Sequence, residues 1–128
     1  MLIDHFNGTT DCRSDAEIAA LLAQRSTEEE NEFWLSQPGG FPCMVLSVSA
    51  SFACLHYFAA ENDPGCQSSG YGQGLDPAGL WCFHTTNGEA CAIDTTCVLP
   101  LAEALEAVWS FIRTGQLPQQ IHWENLAE

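Results

Sequence analysis

The stretch CMVLSVSASFACLHYF, residues 43–58, decides the fold of this 128-residue chain. In its first half Met44, Leu46 and Val48 fall on one side of an extended backbone, which is the period-two pattern of a half-buried strand. The Ala50-Ser51 pair predicts a tight reversal into a second strand. Two strands joined by so short a link pair antiparallel. We therefore expect an antiparallel meander at the centre of the molecule.

The residues before this stretch predict one more strand and a helix. Phe33-Trp34-Leu35-Ser36 has strand composition and precedes a turn at residues 37–40. Ser14-Asp15-Ala16-Glu17 has the pattern of a capping box. In this motif the serine side chain accepts a hydrogen bond from the backbone N–H of the glutamate, and the glutamate side chain accepts one from the backbone N–H of the serine. We expect the helix to end near Arg25-Ser26. A run of acidic residues follows it, in the order Glu28, Glu29, Glu30 and Glu32.

The residues after the central stretch predict a long loop, a hairpin, a helix and a last edge strand. Residues 60–79 are rich in turn formers and predict a loop of roughly 20 residues, a length typical of binding elements. Asn87-Gly88 predicts a hairpin. An apolar stripe at helical spacing predicts a helix between Pro100 and Gly115. Residues 120–124 are expected to form the edge strand.

Together these elements predict an α+β fold. We expect an antiparallel sheet of about five to six strands with two main helices packed on one face. The chain has the length of one domain, so residues 1–128 are expected to form a single domain. Hydrophobic residues make up 46% and charged residues 16% of the chain, which excludes an intrinsically disordered protein.

The charge balance narrows the class of partner. The chain has 17 Asp and Glu against three Arg and no Lys, and its formal net charge is −14. Proteins that bind nucleic acid or anionic membranes use clustered Lys and Arg, so both kinds of partner are excluded. The electrostatic field of this negative charge favours a cationic partner, such as a metal ion, a basic ligand or a basic protein. Solubility alone would also explain the charge, and composition leaves both explanations open.

Neither a membrane span nor a leader is indicated. No run approaches the ~18 consecutive apolar residues of a membrane-spanning helix. Residues 1–5 lack a basic segment followed by an apolar run, so we expect a cytoplasmic protein. The seven cysteines contain no Cys-x-x-Cys motif. In a reducing compartment we expect them to be small buried apolar residues and not a disulfide framework.

The residue types of catalytic and metal sites are present without the spacing that such sites need. No two histidines have the i, i+4 spacing of a helical zinc site, which leaves open a cross-strand cluster of Cys54, His56, Cys82 and His84. His122-Trp123-Glu124 matches half of the zinc deaminase signature, but no Pro-Cys-x-x-Cys follows it. We therefore expect no enzymatic activity, no catalytic residue, no metal or cofactor, and no small-molecule substrate.

The remaining positive features are aromatic and acidic. Tryptophan often anchors interfaces, and Trp123, between His122 and Glu124, is a candidate for such a contact. Glu61 and Asp63 lie at the start of the long loop and add to the acidic run before the predicted strand at residues 33–36. A solvated surface is the ordinary explanation for such carboxylates. Six of them around a binding loop would also suit a basic partner.

The order of motifs in residues 41–124 resembles a known family. The aromatic strand Leu55-His56-Tyr57-Phe58 is followed by Asp63-Pro64-Gly65 and Gln67-Ser68-Ser69-Gly70. Trp81-Cys82-Phe83, Asn87-Gly88, Val98-Leu99-Pro100 and Gly115-Gln116-Leu117-Pro118 come next, and Trp123-Glu124 closes the series. In this order the chain resembles the immunity proteins found beside bacterial polymorphic toxins that carry deaminase domains.

The resemblance implies a small cytosolic protein that binds one cognate toxin and blocks it. The implied partner is a basic toxin domain, typically a zinc-dependent nucleic-acid cytidine deaminase, whose substrate cleft the acidic chain would cover. The expected contact residues are Glu28, Glu29, Glu30, Glu32, Glu61, Asp63, Ser69, Tyr71, His122, Trp123 and Glu124. The alternatives are immunity against another toxin class such as a nuclease, a small enzyme or metal-binding domain, and a generic acidic adaptor.

Overall fold

A computed structural model describes residues 1–70 and 74–127. The elements in these residues are β1 (Leu2–His5), β2 (Gly8–Asp11), α1 (Asp15–Leu22), β3 (Glu30–Ser36), β4 (Cys43–Ser49), β5 (Phe52–Phe58), β6 (Cys66–Ser69), β7 (Leu80–His84), β8 (Ala90–Asp94), β9 (Leu99–Pro100), α2 (Leu101–Thr114) and β10 (His122–Asn125). A short 3-10 turn, Thr95–Cys97, joins β8 to β9.

Eight of these strands form one antiparallel sheet in the order β10-β6-β5-β4-β3-β1-β2, with β9 paired to β5. At its centre β3, β4 and β5 pair along their whole length, so that Phe33 lies opposite Leu46 and Leu46 opposite Leu55. This pairing confirms the predicted meander. Strands β7 and β8 form a separate two-stranded sheet, joined through the predicted Asn87-Gly88 turn.

The α+β class is confirmed, but the prediction of five to six strands in the sheet was too low. Strands β1 and β2 precede α1, where we expected no strand, and β6 lies inside the residues predicted to be a loop. Each of the three is only four residues long. All four residues of β2 are exposed. Strands this short carry too little alternation of apolar and polar residues to be predicted from sequence. Pairing with neighbouring strands stabilises them.

Both helices pack on the same face of the sheet and share its main core. Ile18 and Leu21 of α1 and Val108 and Phe111 of α2 join the inward side chains of β3, β4 and β5 in one buried cluster. The apolar stripe predicted for α2 therefore faces the sheet. In the described part of the chain, neither helix is long and apolar enough to cross a membrane.

The helix ends follow the predicted capping chemistry with one difference. The Ser14 hydroxyl accepts from the Glu17 N–H at 3.2 Å, as a capping box requires. The Glu17 carboxylate, however, accepts from the Arg13 N–H at 2.6 Å and not from Ser14 itself. At the other end of the fold, Gly115 ends α2 in a left-handed conformation with φ +69°.

The opposite face of the sheet is partly covered by the β7–β8 hairpin. Trp81 of the hairpin meets Phe52 edge to face, with ring centroids 5.0 Å apart. Phe83 is buried in a second small cluster with Cys54 and Val98. The hairpin therefore rests on one end of this face and leaves a groove beside it.

Gly65 lies where the chain entering β6 passes close to β5. Its φ is +83°, and a Cβ there would lie 2.5 Å from the Tyr57 carbonyl oxygen and 2.8 Å from the Phe58 ring. A left-handed backbone costs a residue with a Cβ about 1–2 kcal/mol, and this clash adds to it. Gly65→Ala is therefore expected to lower the free energy of unfolding by more than about 2 kcal/mol, measured in urea.

The matched control for this prediction is Gly88→Ala. Gly88 has nearly the same φ, +81°, but a Cβ there would meet nothing within 4 Å. We expect this variant to lose only the backbone contribution of about 1–2 kcal/mol. Equal losses in the two variants would show that the contact with β5 is unimportant.

Candidate functional site

A groove runs between the β7–β8 hairpin and the uncovered face of the sheet, and we call it the hairpin groove. Its more enclosed part has a volume of about 210 Å³. This part is lined by Glu32, Trp34, Val45, Ser47, Cys54, His56, Phe58, Phe83, His84, Cys91 and Ile93. At His84 it continues into a wider depression beside Glu28, Glu30 and Gly88. The strands position these side chains because alternate residues of each strand share one face.

Three aromatic rings lie nearly parallel along the groove. Trp34 of β3 stacks on Phe58 of β5, with centroids 6.3 Å apart and planes 2° from parallel. His56 stacks on the same Phe58 ring at 6.2 Å and 8°. Trp34 is 36% exposed, a large fraction for an aromatic side chain at the centre of a sheet. The groove thus offers a flat aromatic surface to a partner.

Two glutamates of β3 are buried and bind the hairpin. The carboxylate of Glu30 contacts His84 Nδ1 at 2.9 and 3.0 Å. Oε1 of Glu32 accepts from the Thr86 N–H at 3.1 Å and from Trp34 Nε1 at 2.9 Å. Glu30 and Glu32 are only 9% and 7% exposed. These contacts hold the hairpin against β3 and place two carboxylates at one wall of the groove.

Positive charge lies away from the hairpin groove. Arg13 pairs with Asp11 at 2.8 Å, Arg25 donates to backbone carbonyls at the end of α1, and Arg113 lies over the Trp109 ring of α2. These are the only three Arg of a chain without Lys. The groove therefore presents carboxylates and aromatic rings with no Arg or Lys among its lining residues. Such a surface is suited to binding a cation.

His56 gives the groove a predicted pH dependence. Burial lowers the pKa of His56 below its usual value of 6.5, so the folded chain favours the neutral ring while the unfolded chain binds a proton near pH 6.5. The free energy of unfolding is therefore expected to fall as the pH drops through 6.5 and to stop falling, for this residue, below the lowered pKa. Urea denaturation from pH 7.5 downwards measures this loss.

The control for the pH prediction is His56→Phe, which keeps a ring beside Phe58 but cannot bind a proton. We expect this variant to lose less stability than the original chain between pH 7.5 and pH 5.5. Every other titratable group is the same in the two proteins, so the difference between their profiles reports on His56. Identical pH profiles would show that His56 does not carry the effect.

The cysteines are free thiols that differ in burial. All seven are unpaired, and Cys12, Cys43, Cys54 and Cys97 are buried as expected, whereas Cys82 and Cys91 are exposed. Burial raises the pKa of Cys54 to about 11, against the opposite effect of hydrogen bonds from Ser68 and Gln67, so this thiol stays protonated. Among the described residues, no three His, Cys, Asp or Glu side chains come together as metal ligands.

The structure divides the predicted acidic contacts into two kinds. Glu28 and Glu29 are exposed in the turn before β3, and Glu28 lines the wider part of the hairpin groove. Glu30 and Glu32 follow in β3 and are buried against the hairpin. Of these four carboxylates, two are exposed in the turn, and two are buried against the hairpin while also lining the groove.

The other predicted acidic pair lies at the far end of the sheet. Glu61 and Asp63 are exposed in the turn between β5 and β6, at the end of β5 opposite to Glu28. Asp63 accepts from the Gly65 N–H at 2.9 Å and so stabilises its own turn. The structure therefore does not bring this pair together with Glu28 and Glu29. Tyr71 lies outside the described residues.

The remaining predicted contacts meet at the β6–β10 edge. Ser69 pairs with His122, and Trp123 with Ser68. Trp123 turns to the helix side, where it packs on the main core and donates to the Pro118 carbonyl at 2.7 Å. His122 and Glu124 point to the opposite face and are exposed. Three strands separate β10 from β3, which places this edge roughly 19 Å from Glu32 at ~4.8 Å per strand.

Sequence reasoning missed Trp34 and Phe58 as site residues and named His56 only as a member of a possible metal cluster. His56 and Phe58 share β5, whereas Trp34 comes from β3, and only the register of the sheet brings it beside them. One feature in the sequence pointed to the groove. Glu30, Glu32 and Trp34 alternate with Asn31, Phe33 and Leu35, a pattern that predicts one face of β3 to be both acidic and aromatic.

A protein-family model matches most of the chain. The family model described as "Immunity protein Imm1" matches residues 8–125, nearly the whole chain and every element from β2 to β10. No curated protein matches the chain at a significant level.

Proposed function

The chain belongs to the Imm1 family of immunity proteins, and from that premise we propose that it neutralises one cognate bacterial toxin domain with a deaminase fold. The proposed complex forms in the cytoplasm of the producing cell, and this chain performs no chemistry of its own. The observation that carries the proposal is the charge of the hairpin groove, which is acidic and aromatic and has no Arg or Lys in its lining.

The proposed partner follows from the chemistry of nucleic-acid enzymes. A toxin that deaminates cytidine in nucleic acid must hold a polyanion, which it does with a basic cleft. A chain of net charge −14 can occupy that cleft, with carboxylates at positions that phosphates would otherwise take. The order of motifs in residues 41–124, which resembles immunity proteins of deaminase toxins, supports this toxin class over a nuclease.

The proposed mechanism is steric and electrostatic occlusion by a preformed surface. The groove is built on paired strands, so its side chains lose little conformational entropy when a partner binds. This small entropy loss favours high affinity. An interface of ordinary size covers about 800 Å² of each partner. A patch of that size centred on the hairpin groove would reach Glu28 and Glu29, and across the sheet His122 and Glu124. Trp123 faces the helices, so we propose a structural role for it and not a contact.

An inhibition assay tests the proposed function. The toxin domain encoded beside this gene is purified, and deamination of single- and double-stranded DNA and of RNA is measured with increasing amounts of the chain. We expect activity to disappear at one chain per toxin. A neighbouring toxin that is neither bound nor inhibited would refute the proposal. A neighbour that is bound but cleaves nucleic acid would leave the immunity role standing and show that the toxin class is wrong.

A further inference from the structure

The enclosed part of the hairpin groove has the chemistry of a receptor for one planar cation. We propose that it receives a single arginine side chain of the toxin, whose guanidinium pairs with Glu32 and stacks on Trp34. The inference rests on the proposed function and adds to it the chemical group by which the toxin is recognised.

Glu32 has one carboxylate oxygen available to a partner. The residue is 7% exposed, and in the described structure the hydrogen bonds of its side chain come from two neutral donors, the Thr86 N–H and Trp34 Nε1, both to Oε1. The second oxygen, Oε2, has no hydrogen bond there and belongs to a side chain that lines the groove. A partner's cation placed beside Oε2 would make a charge-assisted hydrogen bond, which is stronger than one between neutral groups.

None of the chain's arginines lines the enclosed part. Each arginine is engaged elsewhere: Arg13 with Asp11, Arg25 with the carbonyls that end α1, and Arg113 with Trp109. Two histidines line the enclosed part, but His84 contacts Glu30, and burial lowers the pKa of His56, which favours its neutral ring. A permanent positive charge beside Glu32 therefore comes from a partner.

The aromatic planes of the groove favour arginine over lysine. The rings of Trp34, Phe58 and His56 present parallel planes, and a guanidinium is itself a plane that stacks on aromatic faces while its N–H groups bind a carboxylate. A lysine ammonium is a compact, strongly hydrated charge. It cannot stack on an aromatic ring as a planar group, and it lacks the paired N–H donors with which a guanidinium binds a carboxylate. Asp4, exposed and directly across from Trp34 in the sheet, adds a second carboxylate near the same ring.

The enclosed part of the groove is small enough to suit a single side chain. The enclosed part measures about 210 Å³, which is below the range of about 300–1,000 Å³ usual for small-molecule and cofactor sites. It is open to solvent along the hairpin, so a side chain projecting from a protein surface can enter it. One long side chain suits this space better than a free ligand does.

The test is the affinity of the neighbouring toxin for Glu32→Gln, with Glu106→Gln as the matched control. Glutamine keeps an acceptor for the Trp34 and Thr86 donors and removes only the charge, whereas Glu106 is exposed in the middle of α2. Losing one partner of a desolvated charge pair weakens binding by about thirtyfold or more. We expect that loss for Glu32→Gln and a change of less than about threefold for Glu106→Gln.

Each outcome has a distinct meaning. If the original chain does not bind the toxin, the proposed function fails. If it binds and Glu32→Gln binds equally well, the function stands and the arginine site is refuted. Should Glu32→Gln not fold, as judged by circular dichroism, Trp34→Leu replaces it. That variant removes the stacking surface, and we expect its binding to be at least about fivefold weaker.

The identity of the toxin residue is tested by changing each surface arginine of the toxin to lysine. We expect one such change to weaken binding to the original chain by at least about tenfold. In a double-mutant cycle the same change should cost little more once Glu32→Gln is present. If the residue coupled to Glu32 is a lysine or an apolar side chain, the proposal of an arginine site is wrong.

Discussion

Phe111→Ala is expected to lower the free energy of unfolding by about 3–5 kcal/mol, because it removes a large side chain from the closed centre of the main core. Phe111 is fully buried on α2 and meets the Tyr57 ring of β5 edge to face, with centroids 6.0 Å apart. Phe111 therefore packs α2 against the middle of the sheet. Urea denaturation followed by far-ultraviolet circular dichroism measures the loss.

An exposed apolar residue supplies the control for this stability prediction. Leu80 at the start of β7 is 63% exposed, and Leu80→Ala should change the free energy of unfolding by no more than about 0.5 kcal/mol. A loss of less than about 2 kcal/mol in Phe111→Ala would mean that the core rearranges to fill the space. The contact between α2 and the sheet would then be looser than the structure indicates.

Reversing two charges beside the hairpin groove is expected to slow association with the toxin by about 10- to 100-fold at low salt. Glu28 lines the wider part of the groove, and Glu89 lines its rim beside Trp34. Both are exposed, so changing them to lysine alters the field of the groove without burying a new charge. Stopped-flow or surface-plasmon measurements of the association rate test the prediction.

The control changes the same amount of charge on the opposite layer. Glu103 and Glu106 are exposed on α2, and replacing both with lysine gives the same net charge as the groove variant. We expect this control to slow association much less, with both effects shrinking as salt rises towards 0.15 M, where the screening length is about 8 Å. Equal slowing by the two variants would mean that net charge, not the groove, steers the toxin.

Much of the fold followed from local pattern. The alternation in residues 43–58, the short turn inside it and the capped stripe of α2 each predicted an element that the structure contains. These elements are long and strongly periodic, so their own side chains specify their conformation. The first hairpin was missed although Phe6-Asn7-Gly8 contains an Asn-Gly pair, because four-residue strands with polar side chains carry too little periodicity to be recognised.

The site was less predictable than the fold. The acidic run before β3 was expected to be a contact surface as a whole, but β3 begins at Glu30, so strand geometry turns Glu30 and Glu32 into the interface with the hairpin. The predicted loop at 60–79 contains β6, and its acidic residues lie far from the groove. The composition of the sequence shows how many charged residues there are. It does not predict which face of which strand carries them.

The sequence by itself determined the class of the protein: an α+β chain with a central meander, a strong negative charge and the ordered motifs of an immunity family. Tertiary structure alone decided where that charge is displayed. Trp34, His56 and Phe58 become one surface only through the register of β3, β4 and β5, and Glu32 becomes a nearly buried anion only because the hairpin folds over it. The register between strands that are distant in sequence is determined by which face of the whole sheet is buried. No local run of residues specifies it.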